Sequence, residues 1–123
     1  MKKRILIYDD DPEILTVCKI ILERKNYDVE TRSFCDNIIE DISDVKPDII
    51  LMDLWIPTIG GEKAVSLMKS NSTTGHIPII LFSANVEIEI IAKRANANGS
   101  LKKPFDVGEL VEMVETTMAE EQA

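Results

Sequence analysis

Five short apolar runs alternate along the chain with segments in which apolar residues recur every three or four positions. The runs are predicted strands at residues 5–8, 28–32, 48–53, 78–82 and, as a very short strand, 100–102. The first run is continuous rather than alternating, which is typical of a strand covered on both faces. The charges of the second run indicate a strand at the edge of the sheet.

A predicted helix follows each strand. Asp11 and Pro12 form the N-cap and first turn of the first one, whose buried stripe includes Cys18 and Leu22. The other helices are predicted over residues 38–45, around 64–68, over 86–97 and over 107–118.

The segment 86–97 carries two patterns. Its first five residues alternate like a strand, whereas the whole segment fits a helix. In the helix, Ile88 and Ile91 belong to the buried stripe, and Val86 and Ile90 fall partly outside it.

Strands that alternate with helices predict an α/β fold. We expect a doubly wound, five-stranded parallel sheet with right-handed crossovers and five helices on its two faces. The chain has neither an internal repeat nor a linker, so one domain is expected over residues 1–123. In such folds, ligands bind beyond the carboxyl ends of the strands.

Net charge, hydropathy and cysteine spacing disfavour several classes of function. The 123 residues carry a net charge of -8, and a surface this acidic repels phosphate backbones, so direct nucleic-acid binding is not expected. The sequence has neither a signal peptide nor an apolar run of about 20 residues. We therefore expect no membrane insertion and a cytoplasmic location. Cys18 and Cys35 lack metal-type spacing and are predicted to be buried or incidental thiols.

Polar residues stand where four of the predicted strands end. They are Asp9 and Asp10, Asp53, Ser83 and Lys103. Parallel strands end at one edge of a sheet, so three carboxylates, a hydroxyl and an ammonium should converge there. Clustered carboxylates repel one another but suit a hard divalent cation with oxygen ligands, and Mg²⁺ also accepts waters and a phosphoryl oxygen.

Taken singly, each of these residues also fits a structural role. The aspartates of the first loop could serve as turn or cap residues, and Asp53 could begin a turn. Ser83 could cap the following helix, and Lys103 could be an exposed surface lysine. Their joint occurrence at one edge of one sheet favours a functional site.

Four motifs carry a family resemblance. They are YDDDP at residues 8–12, DLWIP at 53–57 followed by Gly61, LFSA at 81–84, and KPF at 103–105. In this order and spacing they resemble the receiver domains of two-component response regulators, such as the chemotaxis regulators. The resemblance implies the flavodoxin-like strand order 2-1-3-4-5.

The resemblance also implies a phosphorylation switch. Asp53 would be the nucleophile that takes a phosphoryl group from the phosphohistidine of a sensor histidine kinase or a phosphotransfer protein. Asp10 would bind Mg²⁺ directly and Asp9 mainly through water. Asp53 and the Trp55 backbone carbonyl would complete the protein ligands.

Lys103 and the Ser83 hydroxyl would each contact a phosphoryl oxygen, which neutralises and positions the group in transfer. The domain would catalyse its own phosphorylation and dephosphorylation at Asp53 and turn over no separate substrate. The modified form would present a changed surface to a downstream protein partner or output domain. No output domain is expected within residues 1–123, and whether the chain acts alone or within a longer regulator is left open.

The sequence departs from the family pattern at three positions. Ile56 replaces a common methionine, and Gly60 stands where an acidic residue is frequent. Ser100 replaces the usual aromatic residue three positions before the lysine, so the family's coupled movement of hydroxyl and ring is not expected here. The one histidine, His76, is predicted to be a surface loop residue rather than a phosphodonor.

Three other functions fit parts of the sequence pattern. A haloacid-dehalogenase-type phosphatase needs an Asp-x-Asp pair, which Asp9 and Asp11 formally supply, but Pro12 follows and no late acidic pair completes its metal site. A flavodoxin-like binding module needs a first loop that cradles phosphate, and three aspartates would repel one. A pseudo-receiver that binds partners without phosphorylation would not need the complete acidic set.

Overall fold

The computed structural model describes residues 2–122, and the side chains of residues 2–120. Its strands are β1 (Arg4–Tyr8), β2 (Asp28–Arg32), β3 (Ile49–Asp53), β4 (Ile79–Ser83) and β5 (Gly99–Lys102). Its helices are α1 (Pro12–Arg24), α2 (Ile38–Val45), α3 (Gly61–Lys69), α4 (Ile88–Ala95) and α5 (Val107–Gln122). All ten elements lie where the sequence pattern predicts them.

The five strands form one parallel sheet in the order β2-β1-β3-β4-β5. This confirms the predicted fold class, the strand order and the placement of β2 at an edge. In β3 and β4 every residue is buried, because both faces of the sheet are covered by helices.

Alternation along each strand divides the core into two layers. On one face, Leu6 and Ile50 pack with apolar residues of α2, α3 and α4. On the other face, Ile5 and Ile49 pack with residues of α1 and α5. The sheet is therefore held from both sides, and the ends of its strands occupy fixed positions.

The ends of two helices differ from the prediction. Helix α4 begins at Ile88 rather than at Val86, because the Asn85 side chain accepts a hydrogen bond from the Glu87 amide and forms a turn there. It ends at Ala95, because Asn96 adopts the left-handed conformation with φ of 68°. Helix α5 continues to Gln122, beyond the predicted end at Met118.

Exposure in α4 and in the turn before it agrees with the helical interpretation of this segment. Ile88 and Ile91 are buried, whereas Val86 is 77% exposed and Ile90 is 64% exposed.

Both cysteines are buried free thiols, as predicted. Within residues 2–122, no helix combines the length and hydropathy that crossing a bilayer requires.

Candidate functional site

The three carboxylates of the loop after β1, residues 9–11, have two different roles. Asp11 caps α1, its Oδ1 accepting a hydrogen bond from the Glu13 amide at 2.9 Å. Asp9 is 1% exposed and turns its Oδ1 toward the Asp11 amide at 2.9 Å, while Asp10 is exposed. The predicted N-cap is confirmed, and it leaves two carboxylates at the strand end.

The ends of β1 and β3 bring three carboxylates together. Oxygens of Asp9, Asp10 and Asp53 all lie within 4.8 Å of one another. Asp53 is the last residue of β3 and is only 5% exposed. Three like charges this close repel one another, so the cluster favours a cation.

Lys103 supplies the positive charge that the structure places among them. Its Nζ lies 2.6 Å from Asp9 Oδ2 and 3.4 Å from Asp53 Oδ1. The same Nζ lies 4.7 Å from the centre of the Phe82 ring, a distance suited to a cation–π contact. One ammonium against three carboxylates leaves two negative charges, which a divalent cation would balance.

The acid–base properties of the site follow from burial and these contacts. Burial raises the pKa of Asp53, the Lys103 ammonium opposes that rise, and the charges of Asp9 and Asp10 add to it. Burial lowers the pKa of Lys103, but its hydrogen bond to Asp9 and the neighbouring carboxylates outweigh burial, and the net pKa is raised. Lys103 therefore keeps its positive charge. A further positive charge beside Asp53 would lower the pKa of that carboxyl and favour its ionised form.

The loop after β3 is tightly folded beneath the site. The Gly61 amide donates to the Leu54 carbonyl at 2.8 Å, and a Cβ at Gly61 would lie 2.8 Å from the Asp53 carbonyl oxygen. Only glycine permits this approach. The loop buries Ile56 and leaves Trp55 69% exposed. Metal ligation by the Trp55 carbonyl stays a prediction.

Ser83 ends β4 and is 1% exposed. Phe82 is in register with Asp53, so Ser83 lies one residue beyond the level of the carboxylate. Its Oγ accepts a hydrogen bond from the Asn85 amide at 3.1 Å, which leaves its O–H as a donor. This contact precedes α4 by several residues, so Ser83 is not the cap of that helix.

Four of the predicted site residues are thus in direct or near contact, and Ser83 stands at the neighbouring strand end. The site also includes Phe82, which the sequence pattern assigned only to a buried strand. No local signal separates a core phenylalanine from one that lies under an ammonium, because the lysine is far away in sequence.

Comparison with known proteins agrees with this geometry. The family model of the response regulator receiver domain matches residues 5–115. The chain is 34% identical over 115 residues to the DNA-binding dual master transcriptional regulator RpaA of Synechocystis sp., and the match covers 90% of this chain and 47% of RpaA. It is 26% identical over 119 residues to the protein Rrf1 of Nitratidesulfovibrio vulgaris, covering 97% of this chain and 85% of Rrf1.

Among solved structures, a putative response regulator from Chloroflexus aurantiacus is 26% identical with a TM-score of 0.90. The match covers 97% of this chain and 99% of that one. The chain spans about half the length of some curated relatives, 47% of RpaA and 50% of the DNA-binding response regulator MtrA of Mycolicibacterium smegmatis. Since the family model spans all five strands and the carboxylates and lysine converge as its motifs imply, the chain belongs to the receiver domains of two-component response regulators.

Proposed function

We propose that this receiver domain is a phospho-acceptor switch in which Asp53 takes a phosphoryl group from the phosphohistidine of a sensor histidine kinase or phosphotransfer protein. One observation carries the proposal. A buried carboxylate at a strand end lies 3.4 Å from a lysine and within 4.8 Å of two further carboxylates. A surface ion pair would need neither the burial nor the extra acids.

The donor set suits Mg²⁺. The side chains of Asp9, Asp10 and Asp53 offer only oxygen ligands, and Mg²⁺ is commonly bound by few carboxylates together with waters and a phosphoryl oxygen. When bound, the ion supplies positive charge for the oxygens of the group in transfer. The Trp55 carbonyl is included in the proposed ligand set.

The proposed transfer needs little covalent help from the protein. An Asp53 carboxylate oxygen attacks phosphorus, the phosphorus–nitrogen bond of the phosphohistidine breaks, and the protonated imidazole leaves as the neutral ring. The product is an acyl phosphate on Asp53. Because negative charge spreads over the phosphoryl oxygens, positioning and charge neutralisation are the main contributions.

Two side chains would make those contributions. Lys103 is already within 3.4 Å of the Asp53 carboxylate, so it can follow an oxygen of the phosphoryl group attached there. The Ser83 O–H is available as a donor from the neighbouring strand end. Hydrolysis of the acyl phosphate by water returns Asp53 to its starting form, so the domain catalyses its own modification and its reversal.

The phosphatase alternative lacks support in the geometry. It requires Asp9 and Asp11 to act as a reacting pair. Instead, Asp9 pairs with Lys103 at 2.6 Å, and the Asp11 carboxylate caps α1. The acid group nearest the lysine besides Asp9 is Asp53, from a different strand.

The proposal also covers the domain content of the chain, its downstream partner and its location in the cell. Residues 2–122 form one sheet with two core layers, so we assign one receiver domain to this chain. Its downstream partner would be a protein or an output domain, since a net charge of -8 disfavours direct contact with nucleic acid. A cytoplasmic location is part of the proposal.

The test is phosphorylation by acetyl phosphate with Mg²⁺, followed by intact mass and base lability. Wild type should gain one base-labile phosphoryl group, and chelation, Asp10→Ala or Asp53→Ala should each prevent it. Asp44→Ala removes an exposed carboxylate of α2 and is the matched control, expected to label like wild type. Undiminished labelling of Asp53→Ala would falsify the assignment.

A further inference from the structure

Thr58, in the loop between β3 and α3, has a strained backbone. Its φ is 86°, in the left-handed region that favours glycine. Over residues 2–122, the other non-glycine residues in this region are Asn26, Lys46 and Asn96. Asparagine tolerates this conformation and lysine is not branched at Cβ, whereas threonine is. Thr58 is therefore the most strained of the four, and such strain persists only where the surrounding structure holds it.

The loop between β2 and α2 supplies the contact that holds Thr58. The Cys35 amide donates to the Pro57 carbonyl at 3.2 Å, and Cys35 and Thr58 form an isolated parallel bridge. We call this contact the Cys35–Pro57 tie. Its length is at the long end of the usual range for N–H···O bonds, so the tie is a modest restraint on a strained segment.

Cys35 is a firm anchor for the tie. It is fully buried, its thiol lies beside the Tyr8 hydroxyl, and it packs in the same core layer as Ile56. The Tyr8 hydroxyl in turn donates to Asp41 Oδ2 at 2.6 Å. One side of the tie therefore belongs to the core, and the tie opens by movement of the Pro57 side.

The loop that carries Trp55 is short and fixed at both ends. Asp53 ends β3, and Gly61 begins α3. The Ile56 amide donates to the Asp53 carbonyl at 3.2 Å, and the Gly61 amide donates to the Leu54 carbonyl at 2.8 Å. A rotation in the middle of the loop must be absorbed by the few residues between these fixed ends, and Trp55 is one of them.

We propose that Thr58 is a positioning residue for the proposed metal site. The Cys35–Pro57 tie holds the loop in the form that presents the Trp55 carbonyl, and the strain at Thr58 weakens the tie. Cation binding and closure of the tie therefore favour each other, because both need the same loop conformation. The inference rests on the proposed function, in which the Trp55 carbonyl is a metal ligand.

The residue at position 58 sets the balance between the tied loop and a released loop, in which φ at this position is negative and the tie is open. Threonine strains the tied loop and not the released one. Asparagine lowers that strain without the added backbone freedom of glycine. Proline fixes φ near about -65° and excludes the tied loop. Valine keeps the branched Cβ and lacks only the hydroxyl, so it should behave like threonine.

The first experiment follows hydrogen exchange of the Cys35 amide without metal. Thr58→Asn should slow this exchange at least about threefold, since the tie opens less often, and Thr58→Val should stay within about twofold of wild type. Lys46 has a φ of 55° after α2, so Lys46→Asn makes the same relief away from the tie and should not change exchange at Cys35. Equal exchange in Thr58→Asn and Thr58→Val overturns the proposal.

The second experiment adds Mg²⁺. Trp55 is the one tryptophan of the chain, so its fluorescence reports cation binding at this loop. Mg²⁺ at about ten times its Kd should slow exchange of the Cys35 amide at least about fivefold, because opening of the tie is then linked to loss of the cation. The Gly75 amide, bonded to the Asn71 carbonyl at 2.8 Å in the loop before β4, should exchange at its metal-free rate.

Thr58→Pro completes the test. It should bind Mg²⁺ at least about tenfold more weakly than Thr58→Val, as measured by Trp55 fluorescence. If urea unfolding shows that the proline variant is not folded, exchange at Cys35 decides the outcome. Equal Mg²⁺ affinity of a folded Thr58→Pro and Thr58→Val contradicts the positioning role.

Failure of this inference can be told from failure of the proposed function. Mg²⁺ binding that leaves exchange at Cys35 unchanged overturns the positioning role alone. A wild-type domain that binds no Mg²⁺ overturns the proposed metal site and the positioning role together.

Discussion

The Lys103 ammonium is paired more closely with Asp9 than with Asp53, at 2.6 Å against 3.4 Å. The lysine thus holds a proposed metal ligand in addition to contacting the proposed nucleophile. Because Asp9 is 1% exposed, the ion pair relieves the cost of a buried carboxylate. A metal ion bound at the proposed site would therefore compete with Lys103 for the same negative charge.

This competition predicts the behaviour of Lys103→Met. Without metal, the free energy of unfolding of the variant should fall by about 1–3 kcal/mol, since the buried Asp9 carboxylate loses its hydrogen-bond partner. With its competitor gone, Mg²⁺ should bind at least about threefold more tightly, or ~0.6 kcal/mol. Calorimetric titration and urea unfolding with and without Mg²⁺ measure both effects. Lys63→Met on the exposed face of α3 is the control, and Mg²⁺ binding that is weaker than in wild type contradicts the competition.

Trp55 suggests a control on the lifetime of the modified state. Trp55 lies two positions beyond Asp53 and is 69% exposed, so we expect its ring to hang over the mouth of the site. A bulky apolar ring there should hinder the water that attacks the acyl phosphate. We expect Trp55→Ala to lose phosphate faster than wild type at saturating Mg²⁺, measured by decay of the labelled protein. Leu67→Ala removes an exposed apolar residue of α3 and should decay at the wild-type rate. An unchanged or slower decay in Trp55→Ala rejects shielding.

The strand ends could be predicted well from the sequence, because two independent signals coincide at each of them. An apolar run shows where a buried strand lies, and the polar residue that ends it has no place in the core, as at Asp53 and Ser83. Topology then requires these residues to share an edge. The start of α4 was less predictable, since Val86 belongs to a turn that depends on one Asn85 hydrogen bond.

Contacts between distant residues could not be predicted in this way. Tyr8 is fully buried, and its hydroxyl donates to Asp41 Oδ2 at 2.6 Å across 33 positions of sequence. Burial and that hydrogen bond raise the pKa of Tyr8 well above its ordinary value, and Cys35 lies close enough to contribute. Nothing local to β1 distinguishes this tyrosine from any other apolar core residue.

The Cys35 thiol gives a pH dependence that can be measured. Burial, followed by the charge of Asp41, raises its pKa from 9.0 to about 12. Above pH 9 the unfolded chain releases this proton and the folded chain keeps it, so the unfolded state binds fewer protons and stability falls as pH rises. The fall should be about 1 kcal/mol between pH 9 and 10 for this thiol. Urea unfolding of wild type and Cys35→Ala, both under reducing conditions, should show a shallower slope in the variant. Equal slopes would mean that the folded thiol ionises normally.

The last prediction concerns how modification at Asp53 reaches the rest of the molecule. Ser100 has no ring to move, and it is partly buried beside α4, so its side chain cannot transmit the event by packing. Ser83 is better placed, because its Oγ bonds to the Asn85 amide and its carbonyl accepts the Lys103 amide. A phosphoryl oxygen that draws on the Ser83 hydroxyl would disturb the turn before α4 and the end of β5 together.

Ser83→Ala should therefore reduce the gain in partner affinity on phosphorylation. Ser100→Ala is the matched serine control and should leave that gain within about a factor of two, under ~0.5 kcal/mol. Quantitative pull-down of a downstream partner by each variant, with and without beryllofluoride and Mg²⁺, gives the gain, and acetyl phosphate labelling shows whether Asp53 still reacts. If Ser100→Ala loses the gain while Asp53 is still labelled, the side chain of Ser100 carries the change and the route through Ser83 is wrong.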